Sequence, residues 1–134
     1  MEYDAFIKLI QESGQIDRFG VAERAASAVL EVLGEHLTEA RAIGLARELP
    51  THIRDAVMQN NTAQSFDLTE FIQRVVDREE ITFPEAENHV RTVLSVLPEL
   101  VSPETLQGVA GQLPGELRAL LGPERKAAAS AKGP

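Results

Sequence analysis

Residues 22–35 read Ala-Glu-Arg-Ala-Ala-Ser-Ala-Val-Leu-Glu-Val-Leu-Gly-Glu, and residues 86–99 read Ala-Glu-Asn-His-Val-Arg-Thr-Val-Leu-Ser-Val-Leu-Pro-Glu. The second stretch is the first displaced by 64 positions. The match continues beyond it: Gly44 falls on Gly108, Ala46 on Ala110, Leu49-Pro50 on Leu113-Pro114, and Arg54 on Arg118. Twelve identities lie between residues 22 and 57 and their partners, among them Glu23 with Glu87 and Glu35 with Glu99. Self-similarity at a fixed period settles architecture before it says anything of chemistry.

The other elements fall into place around that repeat. Tyr3-Asp4-Ala5-Phe6-Ile7-Lys8-Leu9-Ile10 carries apolar residues three and four apart, the spacing of an amphipathic helix. Its counterpart is Leu68-Thr69-Glu70-Phe71-Ile72-Gln73-Arg74-Val75, where Phe6 meets Phe71 at an offset of 65. The first copy therefore holds one extra residue, near Arg18. Asp67 and Glu70 read as a capping box, with Phe66 and Phe71 as its staple. Thr82-Phe83-Pro84-Glu85 is a cap, an early proline and a first-turn acid. Long helices are expected over 21–35 and 85–100, the second kinked or cut short at Pro98, which replaces Gly34.

Thr38-Glu39 and Ser102-Pro103-Glu104 each open a third helix. Each of these holds an interior glycine, Gly44 or Gly108, and something is expected to pack against that bare backbone. Leu49-Pro50-Thr51-His52-Ile53-Arg54 and Leu113-Pro114-Gly115-Glu116-Leu117-Arg118 start a short fourth helix, ending near Met58 and Leu121. No stretch of several residues alternates apolar and polar with β-branched enrichment, so no strand is expected.

The spacing thus predicts an all-α protein, a compact helical bundle with approximate internal twofold symmetry. Repeat one covers 3–58, a polar linker 59–65 and repeat two 66–122, forming one domain over 1–122. Residues 123–134 read as a low-complexity, disordered tail. A single half, at roughly 60 residues, is near the lower limit of independent stability. Docking the halves would bury what each leaves exposed.

Composition narrows the function classes. With no cysteine, disulfides, thiolate nucleophiles and cysteine-bound zinc are excluded. A net charge of −8, with lysines and arginines scattered, argues against nucleic acid and anionic membranes as partners. The acidic start lacks the basic region of a signal peptide, and no apolar run reaches the ~18 residues of a membrane helix. A cytoplasmic protein is expected.

The Tyr-x-x-Phe-like first helix, Ala-Glu-Arg-Ala-x-x-Ala-Val-Leu-x-x-Leu-Gly at 22–34 and Leu-Pro-x-x-Ile-Arg at 49–54, all roughly duplicated, resemble a bacterial family. That family is the domain of unknown function numbered 2267, and the resemblance covers residues 3 to about 122. It implies small, all-helical proteins. It implies no activity or cofactor and carries no catalytic residue to this chain.

Catalytic signatures are missing. Leu33, Leu49 and Ala86 stand three residues before His36, His52 and His89, so the Glu-x-x-His pattern of di-iron bundles is absent. Phosphate-binding glycine loops and a Gly-x-Ser-x-Gly elbow are absent too. Glu85 and His89 are one turn apart and could share a metal, yet Ala25 holds the matching place in the first copy. A half-buried histidine beside an acid is the expectation, with no cofactor and no metal. Arg54 and Arg118 are expected to tie the fourth helices down by pairing with the repeated glutamates, an anion site being the alternative. Phe6, Phe71, Phe19 and Phe83 are expected in the core.

These features point to a non-catalytic accessory or interaction protein that binds a protein partner or associates with itself. A stress-related role fits them. The alternative is a carrier that holds a small apolar ligand between the repeats.

Overall fold

Four side chains mark helix starts where the sequence predicts them. Thr38 accepts the N–H of Arg41 at 3.3 Å, Asp67 that of Glu70 at 2.9 Å, Thr82 that of Glu85 at 3.3 Å, and Ser102 that of Thr105 at 3.3 Å. At Thr82 the box is complete, because the Glu85 carboxylate takes the Thr82 N–H at 3.0 Å. At Asp67 it is not: the Glu70 carboxylate turns instead to Arg74 at 2.9 Å.

The computed structural model describes residues 1–122; the segment expected as a tail, 123–134, lies outside the described residues. Among the described residues there are eight α-helices and no strand. They are α1 (Tyr3–Gly14), α2 (Phe19–His36), α3 (Glu39–Ala46), α4 (Thr51–Val57), α5 (Leu68–Glu79), α6 (Phe83–Val96), α7 (Pro103–Ala110) and α8 (Gly115–Leu120). Pro98 acts as expected: α6 stops at Val96 and a 3-10 turn covers Leu97–Glu99.

Helices α1 and α5 both end on a left-handed residue that is not glycine, Gln15 at φ 54° and Glu80 at φ 57°. Each cap donates its N–H to the carbonyl four residues back. The three residues Ile16–Arg18 then lead into α2, whereas only Ile81 and Thr82 lead into α6. That is where the offset changes from 65 to 64.

Helices α1, α2, α5 and α6 build the center. α2 packs on α1, α4, α5 and α6, and α6 packs on α1 and α5 as well. The chain's two halves therefore interlock, since α1 rests on α6 and α5 on α2. Phe6, Ile10, Leu30, Leu33, Phe71, Leu94 and Leu97 are fully buried between them. Each such side chain stabilises the fold by about 1.5–3 kcal/mol over leaving it in water.

The aromatic expectation holds for two of four. Phe6 and Phe71 are fully buried, Phe19 is half-buried against the core, and Phe83 is 38% exposed. Phe83 is the first residue of α6, beyond the reach of the core, which α6 faces with Ala86, Val90 and Val93.

The short helices α3 and α7 pack on each other. The N–H of Thr38 donates to Gln112 Oε1 at 3.1 Å, and the N–H of Ser102 donates to Glu48 Oε1 at 2.6 Å. The linker 59–65 is polar and non-helical as expected, but it is fastened. Asn61 donates to the carbonyls of Gly34 and Val57, and Gln64 N–H to that of Glu35 at 2.8 Å. These bonds satisfy carbonyls that the end of α2 would leave orphaned.

Candidate functional site

The Leu-Pro turn before α4 is held from below by an arginine. Arg54 donates from Nε to the Leu49 carbonyl at 2.8 Å and from Nη2 to the Arg47 carbonyl at 3.3 Å. Arg118 repeats the device, with Nε to the Ala110 carbonyl at 3.2 Å and Nη2 to the Leu113 carbonyl at 3.0 Å. The expected pairing with the repeated glutamates is thus corrected: both guanidiniums meet backbone. A turn forced open by proline leaves carbonyls unpaired, and a flat guanidinium one helical turn away can reach two of them. Leu49 and Leu113 are buried, and Pro50 and Pro114 sit immediately before α4 and α8.

The repeated glutamates have other partners. Glu23 accepts the Tyr3 hydroxyl at 2.7 Å, and burial together with that carboxylate pushes the Tyr3 phenol up. Glu87 meets exposed Arg91 at 3.0 Å, while Glu99 is exposed in the 3-10 turn. Glu35 is the buried one. Arg74 and Arg78, one turn apart on α5, each reach one of its oxygens at 2.7 Å. Arg74 also covers the Phe66 ring at 3.7 Å, and Phe66 lies against His36 at 3.8 Å between centroids.

Glycine behaves differently in the two copies. At Gly108 a Cβ would collide with the Arg41 guanidinium, as expected of a helix approached closely. At Gly44 nothing lies within 4 Å, so the expectation fails there. Arg41 reaches across from α3 to α7, but its counterpart at 105 is a threonine, too short to return the contact.

Two clefts gather polar side chains. One, of about 480 Å³, lies between the start of α1 and the α3–α4 turn, and is lined by Glu2, Tyr3, Arg47, Thr51, His52 and Arg54 among others. The His52 ring rests on that of Tyr3 at 5.2 Å. The other, of about 380 Å³, separates α2 from the end of α5 and is lined by Arg24, Ser27, Glu31, Arg78, Glu79 and Glu80. Glu79 is buried there and takes the His89 Nδ1 with both oxygens, at 3.0 and 3.1 Å.

His89 therefore belongs to Glu79 on α5 and not to Glu85, whose carboxylate is held by Thr82. The N–H and hydroxyl of Thr82 keep the Glu85 carboxyl below its ordinary range. The histidine does stand beside an acid, but the acid is Glu79 rather than Glu85. Among the described residues no group of three His, Asp or Glu could hold a metal ion. Sequence reading missed Glu79 and His36. Neither has a recurring counterpart, since Gly14 and Leu100 stand in the matching places.

A model of the family described as uncharacterized conserved protein (DUF2267) matches residues 3–120. The chain belongs to this family. No curated protein matches it. The DUF2267 match spans nearly all of the described residues. The DUF2267 description names no substrate and no partner, so any function must be argued from the molecule itself. No helix among the described residues is long and apolar enough to cross a membrane.

Proposed function

We propose that this is a non-catalytic cytoplasmic accessory protein, built of two copies of one unit about an approximate twofold axis, that acts by binding a protein partner or a second copy of itself. The copy arrangement is supported by the contact of α3 with α7. Thr38 and Ser102 are 64 positions apart, and so are Gln112 and Glu48, the side chains that cap them. Each half thus supplies to the other the same position for the same bond, the mark of an isologous contact.

The observation that carries the binding reading is where three carboxylates direct their bonds. Glu35 faces two guanidiniums, Glu79 faces His89, and Glu48 faces the start of α7. These groups hold helices together, whereas acid–base catalysis needs a titratable group turned toward a substrate. The carrier reading gains no comparable support, because both clefts above are lined by charged side chains.

The test is sedimentation velocity of the full chain over a wide concentration range, together with capture of partners on immobilised protein and reciprocal capture. A reversible dimer, or one stoichiometric partner retained in both directions, is expected. A monomer at every concentration that retains nothing in either direction overturns the proposal.

A further inference from the structure

We infer that the cleft between the start of α1 and the α3–α4 turn is a recognition site for a small ligand bearing a phosphate or carboxylate group. Two guanidiniums, Arg47 and Arg54, line it beside the His52 ring. The chain carries −8, yet two arginines share this one cleft of about 480 Å³. Of the lining carboxylates, Glu48 is turned away. It accepts the Ser102 N–H at 2.6 Å and the Thr105 hydroxyl, and these bonds hold its carboxyl ionised, below its ordinary range. Glu2 is left as the acid on the rim.

Arg54 is already positioned for such a ligand. Its Nε and Nη2 are fixed on the Leu49 and Arg47 carbonyls, and its Nη1 has no acceptor among the described residues. A guanidinium held this way loses little freedom on meeting an oxyanion and can present two donors to it. Thr51 adds a hydroxyl, and the His52 ring on Tyr3 gives one wall a flat face for the rest of a small molecule. The volume lies within the range of small-molecule sites, roughly 300–1,000 Å³.

The second copy supplies the control. Leu113, Pro114 and Arg118 keep the turn and its arginine tie, so those residues are what the fold requires. At the same offset, however, Arg47 becomes Gly111, Thr51 becomes Gly115 and His52 becomes Glu116. Arg47, Thr51 and His52 are thus not needed to build the turn.

The experiment is a titration of the ¹⁵N-labelled full chain at pH 7 and constant ionic strength, with inorganic phosphate in one arm and sodium acetate in the other. Saturable shifts of the Thr51, His52 and Ile53 amides are expected, with those of Gly115, Glu116 and Leu117 unmoved. Saturation by phosphate alone assigns a phosphate ligand, and by acetate alone a carboxylate. The double variant Arg47→Gln/His52→Gln is expected to weaken binding at least tenfold without a change in melting temperature. Shifts that fail to saturate in both arms, that appear equally at 115–117, or that survive the double substitution overturn the proposal.

Discussion

His36 closes α2 with 2% of its surface exposed, and neither ring nitrogen has a hydrogen-bond partner. Phe66 and Phe71 lie over it, while the Gln64 backbone and the Glu35 charge favour the protonated ring. Burial, with the nearby Arg74 charge, pushes its pKa down to about 4. The unfolded chain protonates this ring near pH 6.5, while the native state resists until about 4. Its contribution is therefore complete above pH 6.5 and lost as pH falls through about 4. Urea unfolding between pH 7 and 4 should show a loss from this group of no more than about 3 kcal/mol. His36→Phe is expected to flatten that limb relative to the parent. An unchanged slope would mean that the ring titrates normally.

The elements differ between the halves at one decisive place. At Gly34 an added Cβ would run into the Val57 carbonyl, so glycine is what lets α4 lie close against α2. Pro98 stands at the matching position, ends α6 at Val96, and leaves α8 more lightly packed on α6. A glycine series separates these roles. Gly34→Ala is expected to cost about 2–4 kcal/mol, because backbone and not a flexible side chain must move. Gly44→Ala, mid-helix with open space, is expected to stabilise by about 0.5–1 kcal/mol. Gly108→Ala should be nearly neutral, since only the far end of Arg41 stands in the way. Chemical unfolding of the three variants checks the order. The sequence shows Gly44 and Gly108 as equals at their offset; what approaches each is set by a neighbour elsewhere in the chain.

At the scale of the molecule, the crossed packing of α1 on α6 and α5 on α2 makes each half the other's core. Fragments 1–65 and 66–122 are therefore expected to be largely unfolded alone and to regain helicity on mixing, as read by circular dichroism. Native-like spectra for either fragment alone would show that the interlock is dispensable. The linker adds to it, because its bonds to the end of α2 bring Gln64 to Arg74 at 3.2 Å.

Sequence by itself determined the helices: their number, their starts at Thr38, Asp67, Thr82 and Ser102, the stop at Pro98 and the duplication. Those signals act within about four residues of the backbone they control, so they can be read in a line. Tertiary structure alone decided that Glu35 meets Arg74 and Arg78 and that Glu79 meets His89. It also decided that Arg54 and Arg118 hold carbonyls and that Phe83 faces water. Each of these outcomes depends on which faces the packed helices turn toward one another. For Glu35 and Arg74, 39 residues apart, no local pattern carries that information.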